Sequence, residues 1–303
     1  MVIGEAPGKI VLFGEHSVVY GQPAIASPVF GVKARVSITP SSDFKIVLKN
    51  KVNPQKAKKA IEYTVDNTLD YLGIEKTKEN KSFELTVDSQ VPIASGMGSG
   101  AAVGVATVRA VSKYFGKELT PDEVSKIDFK TEQLLHAHPS GIDNTVVSHG
   151  KPIYFVKGEM EEIRVGKPLQ ILIANTGIRA STRKALTIVR AAWKKNKEEY
   201  EGYFHEAGEI AREARKAIEV GDLERVGQLM NEFQKFYRNI KMSHPANELL
   251  IKTALDSGAL GSKISGAGLG GCVIALVDEN SKEHVKKEWE RLEPEVIIET
   301  TIA

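Results

Sequence analysis

Two hydrophobic rhythms run along the chain, one of period two and one close to 3.6. From Gly31 to Thr39, Val32, Ala34, Val36 and Ile38 alternate with Lys33, Arg35 and Ser37, which predicts a strand with one buried face. Phe83 to Val87 alternates in the same way. Apolar runs predict a buried strand at Lys9–Phe13 and an apolar strand at Cys272–Val277, with further strands at Pro152–Val156, Leu169–Ala174 and Val296–Ile302. The helical rhythm is clearest over Pro54–Leu72, where Ala57, Ala60, Ile61, Val65, Leu69 and Leu72 share a face, with a proline at the start and Gly73 at the end. Thr120, Pro121 and Glu123 occupy the N-cap, N1 and N3 positions of a further helix expected to run to about His136. A small-residue helix is expected from about Ala101 to Tyr114, and mostly helical chain from Thr182 to Tyr237, with breaks at Gly202 and Gly221. His244-Pro245 opens a helix that ends near Gly258. Strands and helices mix without a sustained βαβ rhythm, so the expected class is α+β. A length of 303 residues suggests two domains, placed at 1–160 and 161–303.

Composition narrows the function classes. Hydrophobic residues make up 42% and charged residues 26%, as in a globular protein with a substantial core, and the formal net charge is only +2. The lysine groups, such as Lys56, Lys58 and Lys59, are interrupted by alanine and read as solvated helix faces, so no nucleic-acid partner is expected. A single cysteine, Cys272, allows no intramolecular disulfide. The N-terminus has no basic-then-apolar layout and no apolar run reaches the length of a membrane span, so the expectation is a cytoplasmic protein without a membrane partner.

Four segments could carry chemistry. Pro92-Ile-Ala-Ser-Gly-Met-Gly-Ser-Gly-Ala-Ala102 places glycines at 96, 98 and 100 just ahead of a helix, an arrangement that suits close approach of a phosphate to free N–H groups and the positive helix end. It matches neither the P-loop nor the dinucleotide fingerprint, and a flexible turn before a closely packed helix is its bland alternative. In PGKIVLFGEHSVVYG, Lys9 opens a buried strand, where a lysine is costly unless paired, and Glu15 and His16 follow the strand's end. The stretch EQLLHAHPSGIDN holds Glu132 near a helix end and Asp143 past a Pro-Ser-Gly turn. Two carboxylates on separate elements could divide the work of holding a cation and orienting an attacking hydroxyl, or they could be a surface Glu and a turn Asp. The fourth segment, KISGAGLGGC from Lys263 to Cys272, is either a tight turn before a strand or backbone packed beside a ligand. His136, His138 and His149 would suit a zinc hydrolase, a weaker alternative because an H-x-H pair is frequent by chance.

In this order, the four segments resemble the signature set of the GHMP kinase superfamily over nearly the whole chain. APGKIVLFGEHSVVYGQPAIA, HPSGIDNTV and IANTGIRASTRKAL are most similar to its mevalonate-phosphorylating branch. The resemblance implies two α+β domains with the active site in the cleft between them, ATP and mevalonate as substrates, Mg²⁺ as cofactor, direct in-line phosphoryl transfer giving 5-phosphomevalonate, and a possible homodimer. It implies Asp143 and Lys9 as catalytic residues, with Lys9 stabilising transition-state charge. Pro92, Ser95, Gly96, Met97, Gly98, Ser99, Gly100, Ala101 and Ala102 would hold the nucleotide, Glu132 and Ser99 the metal, and Glu15, His16 and Thr182 the acceptor. The chain departs from the family pattern at Gly100, where a serine usually supplies a hydroxyl to the metal. It departs again at Ala137-His138, before Pro139, and at Leu269, where glycine is usual. Another small-alcohol kinase of the superfamily, acting on phosphomevalonate or a sugar, and a non-catalytic ligand sensor on the same fold are the alternatives.

Overall fold

A computed structural model of the chain describes residues 1–49, 54–93, 95–135, 141–179 and 181–303. It divides into two compact units that interleave along the sequence. The first comprises Met1–Lys9, Val32–Pro92 and Gly98–Gly150, and the second Ile10–Gly31, Ile93–Met97 and Lys151–Ala303. Two long strands, β1 (Val2–Phe13) and β2 (Ala24–Pro40), contribute residues to both.

In the first unit the outer half of β2 pairs antiparallel with β4 (Phe83–Ser89), Val36 opposite Val87 and Ile38 opposite Leu85. Strand β3 (Lys45–Leu48) lies parallel to β4 on its other side. Four helices complete the unit: α1 (Pro54–Leu72), α2 (Ser99–Tyr114), α3 (Pro121–Leu135) and α4 (Ile142–His149). The alternation predicted for residues 31–39 is reproduced, with Val32, Ala34, Val36 and Ile38 buried, and their side chains share a core with Ile61, Val65, Leu69, Val105, Val108 and Val111. Helix α2 packs against α1, α3 and α4, and the many alanines and glycines on it are what permit that crowding. The start of α3 is a capping box: the Thr120 N–H donates to Glu123 Oε2 at 2.8 Å and the Glu123 N–H donates to Thr120 Oγ1 at 3.3 Å.

The second unit holds a four-stranded antiparallel sheet in the order β10 (Val296–Ile302), β7 (Leu169–Asn175), β9 (Cys272–Val277), β8 (Gly261–Ser265). Every residue of β9 is buried, as its unbroken apolar run requires of a strand covered on both faces. Helices α7 (Leu223–Asn239), α8 (Pro245–Asp256) and α9 (Lys282–Glu290) pack against this sheet. Helices α5 (Thr182–Lys195) and α6 (Lys197–Val220) precede them, and strands β5 (Ile153–Val156) and β6 (Glu159–Glu162) extend from the inner half of β2.

Two expectations need correction. The first strand begins at Val2, not Lys9, because its early residues are half-buried too and Glu5 pairs with Arg35 at 2.6 Å. Gly202 does not break a helix. It sits inside α6 with nothing within 4 Å of where a side chain would start, so only its weak helix propensity opposes the burial of Tyr200, Phe204, Ala207 and Ala211, and the break falls at Asn196 instead. Asp143, read as lying past the Pro-Ser-Gly segment, falls in the first turn of α4, and the bland alternative of a turn Asp does not hold. The predicted helix end at His136 and the His138–Ser140 turn lie outside the described residues.

Candidate functional site

In the first unit, β1, α2, α3 and α4 bring a lysine and three carboxyls to the start of α2. Lys9, only 6% exposed near the middle of β1, places its Nζ 2.9 Å from Asp143 Oδ1 in the first turn of α4. A buried ammonium is costly unless paired, and this carboxylate is its partner. Gly98, the N-cap of α2, has φ +67°, and a side chain there would start 2.8 Å from Lys9 Cγ and 3.6 Å from Asp143 Oδ2. Only glycine satisfies both the backbone and the space. Among the described residues no side-chain cap bonds the start of α2, which leaves its first N–H groups without an intrahelical acceptor beside the Lys9–Asp143 pair.

Helix α3 faces the same end of α2 with two carboxyls one turn apart. Glu132 Oε1 lies 3.5 Å from where a side chain on Gly100 would start, and Asp128 Oδ1 lies 1.8 Å from the corresponding point on Gly104. Gly104 therefore makes room for Asp128, while Gly100 faces Glu132 at ordinary contact distance. Burial, with the Asp143 charge added and Lys9 opposing, pushes Glu132 up to about 7. Burial, then the charges of Glu132 and Asp143, holds Asp128 well above the ordinary carboxyl range, and among the described residues its Oδ2 has no hydrogen-bond partner. Carboxyls left costly to ionise by their surroundings are suited to a cation. Magnesium binds through one or two carboxylates plus substrate phosphates, and among the described residues no group of three or more His, Cys, Asp or Glu side chains could hold a metal ion. The donor set thus fits a cation shared with a nucleotide.

In the second unit the segment after β1 is tied to the glycine-rich turn between β8 and β9. Lys263 on β8 is fully buried and donates to Glu15 Oε1 at 2.6 Å. His16, with φ +59°, donates from Nε2 to the Ala267 carbonyl at 2.8 Å. Burial, only partly offset by that bond, pulls its imidazole down to about 4, so the ring is neutral at physiological pH and Nδ1 is an acceptor. Among the described residues neither His16 Nδ1 nor Glu15 Oε2 has a hydrogen-bond partner, although both are buried. Ser95 and Gly96 belong here too: a side chain on Gly96 would start 3.3 Å from the Ser265 carbonyl, and one on Gly271 would start 3.3 Å from the Ser95 carbonyl.

The residues expected to act are thus gathered into two groups. Lys9, Asp143, Glu132, Gly98, Ser99, Gly100, Ala101 and Ala102 share the first unit, and Glu15, His16, Ser95, Gly96 and Met97 the second, while Pro92 closes a segment of the first. Thr182 opens α5, exposed, and among the described residues no side-chain hydrogen bond joins it to Glu15 or His16. His136 and His138 lie outside the described residues, and His149 Nε2 is 3.0 Å from Asp122 Oδ1.

The GHMP kinase N-terminal domain pattern matches residues 56–151, and the GHMP kinase C-terminal pattern matches residues 214–294. The mevalonate kinase of Thermococcus sibiricus is 34% identical to this chain, covering 93% of it and 91% of the relative. The chain belongs to the GHMP kinase family. Among solved GHMP kinases, the crystal structure of L. major mevalonate kinase in complex with R-mevalonate superposes with a TM-score of 0.87 at 28% identity, covering 100% of this chain and 96% of that one. Methanococcus jannaschii mevalonate kinase superposes with a TM-score of 0.88 at 26% identity, covering 99% and 98%. The family resemblance and the α+β class read from the sequence are borne out. Three further groups lie in these clusters without having been singled out from the sequence as site residues: Asp128, Lys263 and Tyr237, whose hydroxyl donates to the Gly266 carbonyl. Lys263 stood in a segment already singled out. The other two carry no local signal, since an Asp within a helix and a Tyr on a helix face become informative only when burial is known.

Proposed function

We infer that this protein is a mevalonate kinase, transferring the γ-phosphoryl group of ATP to the 5-hydroxyl of mevalonate and releasing 5-phosphomevalonate and ADP. Its similarity to mevalonate kinases over 93% of the chain supports the reaction class and acceptor. The observation that carries the mechanistic reading is the Lys9–Asp143 pair, 2.9 Å apart beside the uncapped start of α2.

Phosphoryl transfer asks for positioning and charge stabilisation more than for covalent chemistry. Asp143 offers one oxygen to Lys9 and keeps the other for the acceptor hydroxyl, which it orients and from which it takes the proton as the new O–P bond forms. The Lys9 ammonium stabilises the negative charge that spreads over the transferring group. The N–H groups from Gly98 to Ala102 bind phosphate oxygens, as helix starts do, with Pro92 and Ser95–Met97 leading into them. Glu132, with Ser99, would hold Mg²⁺, which neutralises phosphate charge when bound. Glu15 and His16 would accept hydrogen bonds from the acceptor's hydroxyls, and Thr182 is assigned to the same substrate by the family resemblance alone.

The test is Asp143→Asn. The expected result is a fall in kcat of about 10²–10⁴-fold with ATP affinity within about twofold of the parent. Near-normal kcat would remove Asp143 from its assigned role.

A further inference from the structure

Around Lys263 the second unit contains a buried polar network. The Lys263 ammonium, with no exposed surface, bonds Glu15 Oε1 and the Ile264 carbonyl and lies 5.1 Å and 5.6 Å from the ring centroids of Phe233 and Tyr237. Tyr237, on α7 and fully buried, donates its hydroxyl to the Gly266 carbonyl at 2.5 Å, while the Gly266 N–H reaches Glu15 Oε1 at 3.4 Å. The Tyr237 ring also meets the His16 ring edge-on, with centroids 6.0 Å apart and planes at 85°. Next along the turn, the Ala267 carbonyl takes the His16 Nε2–H. A single phenol thus holds the turn that fixes the His16 tautomer, packs on the His16 ring, and stacks on the lysine that holds Glu15.

We propose that Tyr237, acting with Lys263, is a positioning residue for the acceptor substrate: it fixes Glu15 and His16 so that two buried acceptor atoms, Glu15 Oε2 and His16 Nδ1, meet hydroxyl donors of a polyhydroxy acid. The chemistry of the network supports this. Lys263 neutralises Glu15, and His16 contributes no charge, so the pair of free acceptors recognises O–H donors and offers nothing to an anionic phosphate. An unpaired buried acceptor is costly, and two on consecutive residues, each with its other polar atom already bonded, imply a ligand that supplies the missing donors. A merely structural network would have no reason to leave them open. The inference rests on the reading of Glu15 and His16 as acceptor-binding residues.

Tyr237→Phe tests it, because the ring packing over Lys263 and against His16 is retained and only the hydroxyl's interactions, with the Gly266 carbonyl and with Glu15, are lost. Initial rates are measured for parent and variant over mevalonate and ATP concentrations, alongside thermal unfolding. The expected result is a rise in KM for mevalonate of about tenfold, the equivalent of one lost hydrogen bond, with KM for ATP unchanged. An unchanged KM for mevalonate, with or without a lowered melting temperature, overturns the proposal. So does a parallel rise in both KM values, which would mark a general structural role. If the parent turns over mevalonate and the variant matches it, this inference alone fails. If the parent does not turn over mevalonate, the functional reading fails and takes the inference with it.

Discussion

At the scale of single residues, the chemistry depends on charges that are expensive where they stand. Lys9 is buried and paired, Lys263 is buried and paired, and Glu132 is half-buried near another carboxylate with only partial relief from Lys9. Glu132 therefore leaves a thermodynamic trace. Its folded-state value of about 7 lies above the ordinary 4.5, so between those values the folded chain binds more protons at this site than the unfolded chain does. The stabilisation it provides is complete below 4.5, declines as pH rises, and is gone above about 7. In cation-free protein, Glu132→Gln should remove that decline, so the variant gains on the parent from pH 5 to 7 and holds a constant margin at pH 8. Denaturant unfolding at four pH values checks this, and parallel curves for the two proteins would contradict it. Lys9, Asp143, Glu132, Glu15 and His16 were legible as candidates because each stands in a recognisable local pattern. Tyr237 and Asp128 were not, because what matters about them is what lies opposite in the fold.

At the scale of elements, the pairing of α2 with α3 decides how the carboxyls are presented. Gly100 faces Glu132 and Gly104 faces Asp128, each pair one helical turn from the next. A methyl group on Gly104 would meet Asp128 Oδ1 at 1.8 Å, so Gly104→Ala should destabilise the protein by about 1–3 kcal/mol through overpacking. Adding Asp128→Ala should recover most of that loss, because the colliding group is then gone and an unpartnered buried carboxyl is removed with it. Additive losses in the double variant, measured by denaturant unfolding, would show that the two residues do not meet. Elements with strong internal signals were legible to the residue: Pro54–Leu72, Cys272–Val277 and Val296–Ile302 form as read. Those held by neighbours were not. Strand β6 is Glu-Met-Glu-Glu, fully exposed, and exists through its ladder to β5; α9 buries only Val285 and Trp289.

At the scale of the whole molecule, the chain threads two compact units by crossing between them early, at Lys9–Ile10 and Gly31–Val32, again at either end of Ile93–Met97, and finally at Gly150–Lys151. Lys9 ends its segment in one unit, and the segment that follows, from Ile10, carries Glu15 and His16 in the other. The glycine-rich segment is divided in the same way, with Met97 in one unit and Gly98 in the other. Linear reading could not anticipate this, since hydrophobic periodicity reports which face of a strand is buried and not which unit buries it. The order of the four chemical segments was nevertheless enough to read the family, because each keeps its local sequence wherever the chain carries it. Among the described residues no helix is long and apolar enough to cross a membrane. The central claim is that this kinase acts on mevalonate, and the most direct test is ADP release with Mg²⁺–ATP in the presence of mevalonate, phosphomevalonate, galactose or homoserine at equal concentration. The account predicts strong turnover with mevalonate and at least about a hundredfold lower kcat/KM with each of the others. Preferred turnover of any other acceptor, or none with mevalonate, would contradict it.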